Sequence, residues 1–387
     1  MGQPLIFLAA GEVSGDVHGA ALVSEIRGLA PDARFAGLGS HKMAAAGVEV
    51  LQDLTPYAAV GLTENLAAVR PASEAIRSAR EYLAANRPSA VVLIDYQGAN
   101  MVLARHAREA GIPTLYYISP QEWIWGFKGG AAKVARQVDR IVCIFEREAA
   151  VYRQAGGNVT YVGHPLLDQA PDDDRIAAVR ERLGLSGTEP VLGLFPGSRK
   201  AEIGRLLPPM LGAARALQAK RPGLRVLLPI ASPHLETLTQ GLGDALTLVN
   251  APGTPGEAIP GIEVLAACDA ALVASGTATL EAAIVGTPVV ATYRVSALTA
   301  FLARKVFRIG HVSLPNIVAD REVIPELLQE NATAARMVAA VEPLLDPGRA
   351  RQEAKDRLAA VAAILGERGA TRRAAECVLE AALAPTR

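Results

Sequence analysis

The sequence predicts an α/β fold of two Rossmann-like, doubly wound domains facing a cleft. Three observations carry this expectation. The chain has 387 residues, more than one ordinary core accommodates and suited to two domains of roughly 150–200 residues each. Short apolar runs alternate with helical patterns along its length. The alternation then begins afresh after Gly163-His164-Pro165.

In the first half, Leu5–Ala10 reads as the opening strand and Arg34–Leu38 as the next, followed by Val91–Ile94, Thr114–Ile118, Arg140–Ile144 and Val159–Val162. These runs are almost continuously apolar, which indicates a parallel sheet buried on both faces and joined by right-handed crossovers. Pro171-Asp172-Asp173-Asp174, one short helix and Gly187 then lead into Val191–Phe195, Leu224–Pro229, Leu246–Val249, Ala270–Ala274 and Pro288–Thr292. The expected domains are therefore 1–163 and 164–365. Ligands of such sheets bind at the carboxyl ends of the strands.

Lys plus Arg equals Asp plus Glu at 39 each, so the net charge favours neither nucleic acid nor an anionic bilayer. Cys143, Cys268 and Cys377 are odd in number and widely spaced, as expected of free thiols in a reducing compartment. The start of the chain lacks a basic leader and reads as a strand. No run of about 18 apolar residues occurs despite 50% hydrophobic content, so no membrane span is expected and the location is read as cytoplasmic.

The loop Ala10–Gly19 follows the first strand and carries Glu12, Ser14, Asp16 and His18 among glycines that permit close backbone approach. It is not G-x-G-x-x-G, and no acidic residue closes Arg34–Leu38, which argues against a dinucleotide. Ser14 or Asp16 has the alternative role of helix N-cap, with His18 a first-turn residue. Asp95 ends a buried strand, where a carboxylate accepts a proton from a sugar hydroxyl or caps the helix near Gly98. Leu194–Glu202 places Ser198 and Arg199 at a strand-to-helix turn suited to a diphosphate. The alternative for Arg199 is a surface arginine. Leu272–Glu281 runs from a strand through Ser275-Gly276-Thr277 into a helix bearing Glu281, the geometry of a nucleotide-sugar pocket. His311–Asn316 holds a base or phosphate, or fixes a turn. Asp172-Asp173-Asp174 looks like a metal-binding D-x-D, but in a linker that opens a helix the acids complement the dipole, and no metal is expected.

Together these pieces resemble the lipid-A-disaccharide synthase family, inverting glycosyltransferases of the two-Rossmann-domain GT-B type. The matching segments are Ala10–Asp16, Ile94-Asp95 with Asn100, Ser119-Pro120 with Trp123 and Trp125, Val162–Pro165, Pro196–Arg199, Ala274–Glu281, Tyr293-Arg294 and Val312–Asn316. The likeness runs from about residue 4 to 380. It implies transfer of 2,3-diacylglucosamine from UDP-2,3-diacylglucosamine to the 6-hydroxyl of 2,3-diacylglucosamine 1-phosphate (lipid X), inverting the anomeric centre. The first domain would bind the acceptor and the second the UDP-sugar, with a closing helix at about 366–387 packing back on the first.

By the same resemblance Asp95 is the base and Glu12 a catalytic loop residue, with His18 the alternative base. Ser14, Asp16, Asn100 and Trp125 bind the acceptor. Arg199, Ser198, Ser275, Gly276, Thr277, Glu281 and Asn316 bind the UDP-sugar. Neither metal nor cofactor is implied, the UDP-sugar being a substrate. The implied partners are the two lipid substrates and, weakly, the cytoplasmic surface of the inner membrane; nucleic acid is not among them. Two departures stand out. Tyr96-Gln97-Gly98-Ala99 replaces a run with a second carboxylate, and Thr63, Glu64 and Asn65 dilute a membrane-docking segment at 60–70. Trp123, Trp125, Phe127 and Lys128, or Phe301–Arg308, offer compensating interfacial residues, with ordinary core packing as the alternative. Other readings are a different UDP-sugar transferase, a UDP-N-acetylglucosamine 2-epimerase, or a non-catalytic nucleotide-sugar-binding protein.

Overall fold

The computed structural model describes residues 3–55, 65–125, 129–185, 187, 189–230, 235, 246–250, 257–295 and 310–384, the side chains of 65–69 and of residue 125 excepted. The chain divides into two compact units, Met1–Asp168 with Leu365–Arg387, and Gln169–Ile364.

The first unit holds a seven-stranded sheet of β1 (Leu5–Ala10), β2 (Arg34–Leu38), β3 (Glu49–Gln52), β4 (Ala90–Ile94), β5 (Thr114–Tyr117), β6 (Arg140–Cys143) and β7 (Val159–Tyr161), ordered β3-β2-β1-β4-β5-β6-β7. The second holds six strands, β8 (Val191–Phe195), β9 (Arg225–Pro229), β10 (Thr247–Val249), β11 (Ala270–Ala274), β12 (Val289–Tyr293) and β13 (Glu326–Leu328), ordered β10-β9-β8-β11-β12-β13. The strand pairings are parallel in both. Each sheet therefore reverses its winding once, at β1/β4 and at β8/β11, and the loops leaving those strands diverge to opposite faces and leave a crevice.

Burial follows the apolar runs. Every residue of β4 and of β8 is buried, as strands covered on both faces require. The edge strands β3 and β13 were not legible as strands: Glu-Val-Leu-Gln and Glu-Leu-Leu are short, partly polar and only partly buried, because an edge packs less apolar surface.

The chain leaves the first unit at Asp168, not at Gly163, because Pro165–Gln169 forms a turn of 3-10 helix that remains tied to it. Asp168 accepts hydrogen bonds from the Thr371 amide (2.9 Å) and hydroxyl (2.8 Å), at the start of the helix Ala370–Leu383. Arg373 donates to the Val162 carbonyl at 2.7 and 2.9 Å. The helix packs on Val13–Leu29 and on β4.

Candidate functional site

At the β1/β4 switch point the backbone is strained. Asp95 and Tyr96, which follow β4, have φ of +50° and +41°, and Ile118, which follows β5, has φ of +56°. Such values cost about 1–3 kcal/mol each for non-glycine residues and persist where the surroundings over-determine them. The Asp95 amide donates to the Ile118 carbonyl at 3.2 Å, which couples the two strained turns. This conformation brings the Asp95 carboxylate back over its own chain, where Oδ1 accepts the Tyr96 amide at 2.9 Å. Burial pushes the carboxyl above its ordinary range, while the Tyr96 amide and the Ser14 hydroxyl pull it back. Asp95 does not cap the following helix, whose N-cap is Tyr96 and has no side-chain cap hydrogen bond.

The Tyr96 ring crosses to the first loop. A Cβ at residue 11 would lie 2.2 Å from its Cδ1, so only glycine fits beneath it. Burial and then the neighbouring Glu12 carboxylate raise the Tyr96 phenol. The structure thus gathers Asp95, Ser14, Glu12 and Tyr96 at the adjoining ends of β1 and β4. Of the expected roles for Ser14 and Asp16, neither is N-cap: the helix Val13–Leu29 is capped at Glu12.

Three predicted contact residues are spent on the scaffold. Asp16 is buried and accepts the amides of Ser40 (2.7 Å), Lys42 (3.0 Å) and Met43 (3.1 Å) at the start of His41–Ala45, so its oxygens face that helix and not a ligand. Asn100 is buried and its amide donates to the carbonyls of Ala9 (3.3 Å), Ile94 (3.1 Å) and Asp95 (2.8 Å), stitching β1 to the end of β4. Asn316, in the second unit, is wholly buried. Its Oδ1 accepts Val323 N (2.7 Å) and Ile324 N (3.0 Å), and its Nδ2 donates to Ile324 O (2.9 Å) and Glu326 (2.8 Å). With those hydrogen bonds made, Asn316 shapes the 311–316 loop and has no capacity left for a nucleotide.

His18 lies one turn beyond Ser14 on the same helical face. Desolvation lowers its pKa to about 4, and its buried Nδ1 has no hydrogen-bond partner. His164 is lowered to about 3 by burial and then by His18. Burial thus keeps both imidazoles neutral near neutral pH. Ser119 donates to the buried Glu148 at 2.5 Å, and Glu148 also accepts the amides of Ile144 and Phe145, so this piece of the pattern is framework. The side chains of Trp125, Phe127 and Lys128, the 60–64 stretch with the side chains of 65–69, and Phe301–Arg308 lie outside the described residues.

In the second unit the loops after β8 and β11 adjoin. Gly197 (φ +96°) turns the first loop, and a Cβ there would meet the Glu202 carboxylate at 2.6 Å and the Ala274 methyl at 3.5 Å. Ser198 and Arg199 are exposed on it. Arg199, the N-cap residue of Lys200–Lys220, pairs with Glu202 at 3.1 Å and keeps about half its side chain, 52%, open to solvent. Burial and then the Glu202 carboxylate raise the phenol of Tyr293, the last residue of β12, while Arg199 and Arg205 pull it back. Gly276 and Thr277 are exposed where the helix Thr277–Val285 begins; helix geometry leaves the Thr277 and Ala278 amides without an intrahelical partner, while Thr279 N donates to the Gly276 carbonyl at 3.1 Å. Ser275 donates to the Val312 carbonyl at 3.0 Å. Glu281 sits beyond the first turn, and desolvation pushes its carboxyl up to about 7. A guanidinium, helix-start amides and a carboxylate are the groups that a diphosphate joined to hydroxyl groups would call on.

Sequence reasoning missed Tyr96 as a bridging residue and Glu326, whose carboxylate accepts Val312 N (3.1 Å), Ser313 N (2.8 Å) and the Ser313 hydroxyl (2.6 Å). Neither position carries a local pattern that distinguishes it from an ordinary strand end.

Among the described residues no helix is long and apolar enough to cross a membrane. The fold is shared with solved proteins of low sequence identity. One is a UDP-N-acetylglucosamine 2-epimerase from Neisseria meningitidis bound to UDP-GlcNAc, with a TM-score of 0.64 at 13% identity, covering 97% of this chain and 99% of that one. Another is the glycotransferase of kitacinnamycin, with a TM-score of 0.64 at 17% identity, covering 98% and 99%. These likenesses show the GT-B type of architecture. Sequence relatives are closer. The lipid-A-disaccharide synthase of Myxococcus xanthus is 41% identical over 379 residues, 97% of each chain. That of Geobacter sulfurreducens is 40% identical over 378 residues, 97% of this chain and 96% of the relative. The family model for lipid-A-disaccharide synthetase matches residues 6–382, and the chain belongs to that family of glycosyltransferases.

Proposed function

We propose that the protein joins UDP-2,3-diacylglucosamine to lipid X, forming the β-1,6 lipid A disaccharide 1-phosphate and releasing UDP. The acceptor 6-hydroxyl loses its proton to Asp95 as its oxygen attacks the anomeric carbon. The bond from that carbon to the diphosphate breaks with inversion. Arg199 and the amides at Gly276–Thr277 take up the charge that develops on UDP, so the chemistry calls for no divalent ion. Glu281 accepts hydrogen bonds from ribose hydroxyls, and Ser14 and Glu12 orient the acceptor. The carrying observation is Asp95: a desolvated carboxylate on a strained turn, beside Ser14 and Glu12, is built for proton transfer and not for capping. The lipid substrates place the work at the cytoplasmic surface of the inner membrane.

UDP release measured with and without lipid X, with the lipid product identified by mass spectrometry, tests this reading. Acceptor-dependent disaccharide formation is expected. Acceptor-independent turnover of the UDP-sugar would point instead to epimerase or hydrolase chemistry.

A further inference from the structure

The strained turn that presents Asp95 needs something to hold it, and the strand next to β4 supplies it. Tyr116 lies inside β5, paired with Leu93 of β4, and is fully buried. Its hydroxyl donates to the Asp95 carbonyl at 2.7 Å, and the Asn100 amide donates to the same oxygen at 2.8 Å. That carbonyl belongs to the peptide between the two positive-φ residues, Asp95 and Tyr96. Two donors on one buried oxygen fix the plane of this peptide. The peptide's own N–H, from Tyr96, is the group bonded to the Asp95 carboxylate. Rotation of the peptide therefore moves both ends at once: the carbonyl leaves Tyr116 and the amide leaves Oδ1.

We propose that Tyr116 is a positioning residue for the reaction, pinning the Asp95–Tyr96 peptide so that the Asp95 carboxylate keeps its hydrogen bond and its aim. This rests on Asp95 being the base. Burial holds the Tyr116 phenol far above its ordinary range, so it remains a neutral donor at every working pH. Asn100 cannot substitute for it, because its amide is shared with the Ala9 and Ile94 carbonyls.

The test compares wild type, Y116F and D95N in steady-state kinetics with both lipid substrates across pH. Y116F removes one oxygen from a buried strand. It is expected to lower kcat about tenfold, the worth of one buried hydrogen bond, with KM for the UDP-sugar within about twofold. The acid limb of its kcat profile should move to higher pH, since losing the Tyr96 amide removes a contact that holds the Asp95 pKa down. A phenol that only filled the core would change the melting temperature and leave that limb in place. Tyr116→3-fluorotyrosine keeps the donor and is expected to restore both kcat and the limb, and it serves as the comparison if Y116F folds poorly. D95N inactive with Y116F at wild-type kcat and limb would overturn the role of Tyr116 alone. D95N at wild-type turnover would overturn the base assignment and this role with it.

Discussion

The Tyr96 ring occupies the space directly above Gly11, so that the loop after β1 and the loop after β4 are locked together by one aromatic side chain and one missing Cβ. With the nearest ring carbon at 2.2 Å, no side chain is accommodated at residue 11 unless the ring swings away. Gly11→Ala is expected to displace Tyr96 and lower kcat at least tenfold, at a cost to stability of about 1–3 kcal/mol. Kinetics beside a denaturant melt check this. A variant with wild-type kcat would show that the lock is not required.

Asp95 and Arg199 should separate chemistry from nucleotide binding. Asp95→Ala is expected to reduce turnover by roughly a hundredfold or more with UDP affinity unchanged, and Arg199→Ala to weaken both. Calorimetric titration with UDP distinguishes them, and an equal loss of affinity in each would contradict the division.

Glu281 placed at the ribose is expected to make UDP binding depend on pH. Its carboxyl titrates at about 7 in the free protein, and only the ionised form accepts two ribose hydroxyls. Affinity is therefore expected to fall as pH drops from 8 to 6, beyond the change caused by the nucleotide's own phosphate. Glu281→Gln should bind more weakly at pH 8 and lose that extra dependence. A parallel profile for both proteins would remove Glu281 from the ribose.

The pair His18 and His164 should make stability sensitive to acid. Their pKa values of about 4 and about 3 lie below the ordinary 6.5. Between those values the unfolded chain binds protons that the native state does not. Their contribution is thus fully present above about pH 6.5 and is lost as pH falls toward 4 and below. His164→Asn keeps an acceptor for the Leu166 amide, which now bonds Nδ1 at 3.3 Å. Its melting temperature should fall less between pH 7 and 4.5 than that of wild type. An unchanged slope would argue against the assignment.

Asn316 and Glu326 act through the shape of a loop. Asn316→Ala leaves several buried groups unpaired and should destabilise the second unit by about 2–4 kcal/mol. UDP affinity should drop only as far as the 311–316 loop relaxes from Ser275, whose hydroxyl holds the Val312 carbonyl. Adding a stabilising osmolyte is expected to recover much of that affinity, which it would not do for a residue that touched the nucleotide.

How much was legible in the sequence follows from where information is stored. Buried strands such as Ala-Val-Val-Leu-Ile carry their burial in their composition, so the central strands of both sheets could be read directly. Asp95, Arg199 and Ser275–Thr277 were visible because each follows such a strand at the point where the next helix starts. Asp16, Asn100 and Asn316 looked like ligand contacts by family resemblance, yet scaffold amides and carbonyls claim their polar atoms, from partners 24 or more positions away for Asp16 and 7 to 10 positions away for Asn316. Tyr96, Tyr116 and Glu326 were hidden for a related cause. Their roles depend on which strand lies beside which, and only topology sets that.

The return of the last helix to the first unit fixes an order of manufacture. A growing chain can complete the segment Gln169–Ile364 while the face of Val13–Leu29 that receives Ala370–Leu383 still has nothing to cover it. The half that emerges first from the ribosome is therefore the half that finishes last, and for much of synthesis it presents an apolar surface to which chaperones are expected to bind. Pulse proteolysis of ribosome-bound chains that end at Ile364 and are stalled on a fused linker long enough for Ile364 to clear the exit tunnel should find the later-made unit protected and the earlier one still open.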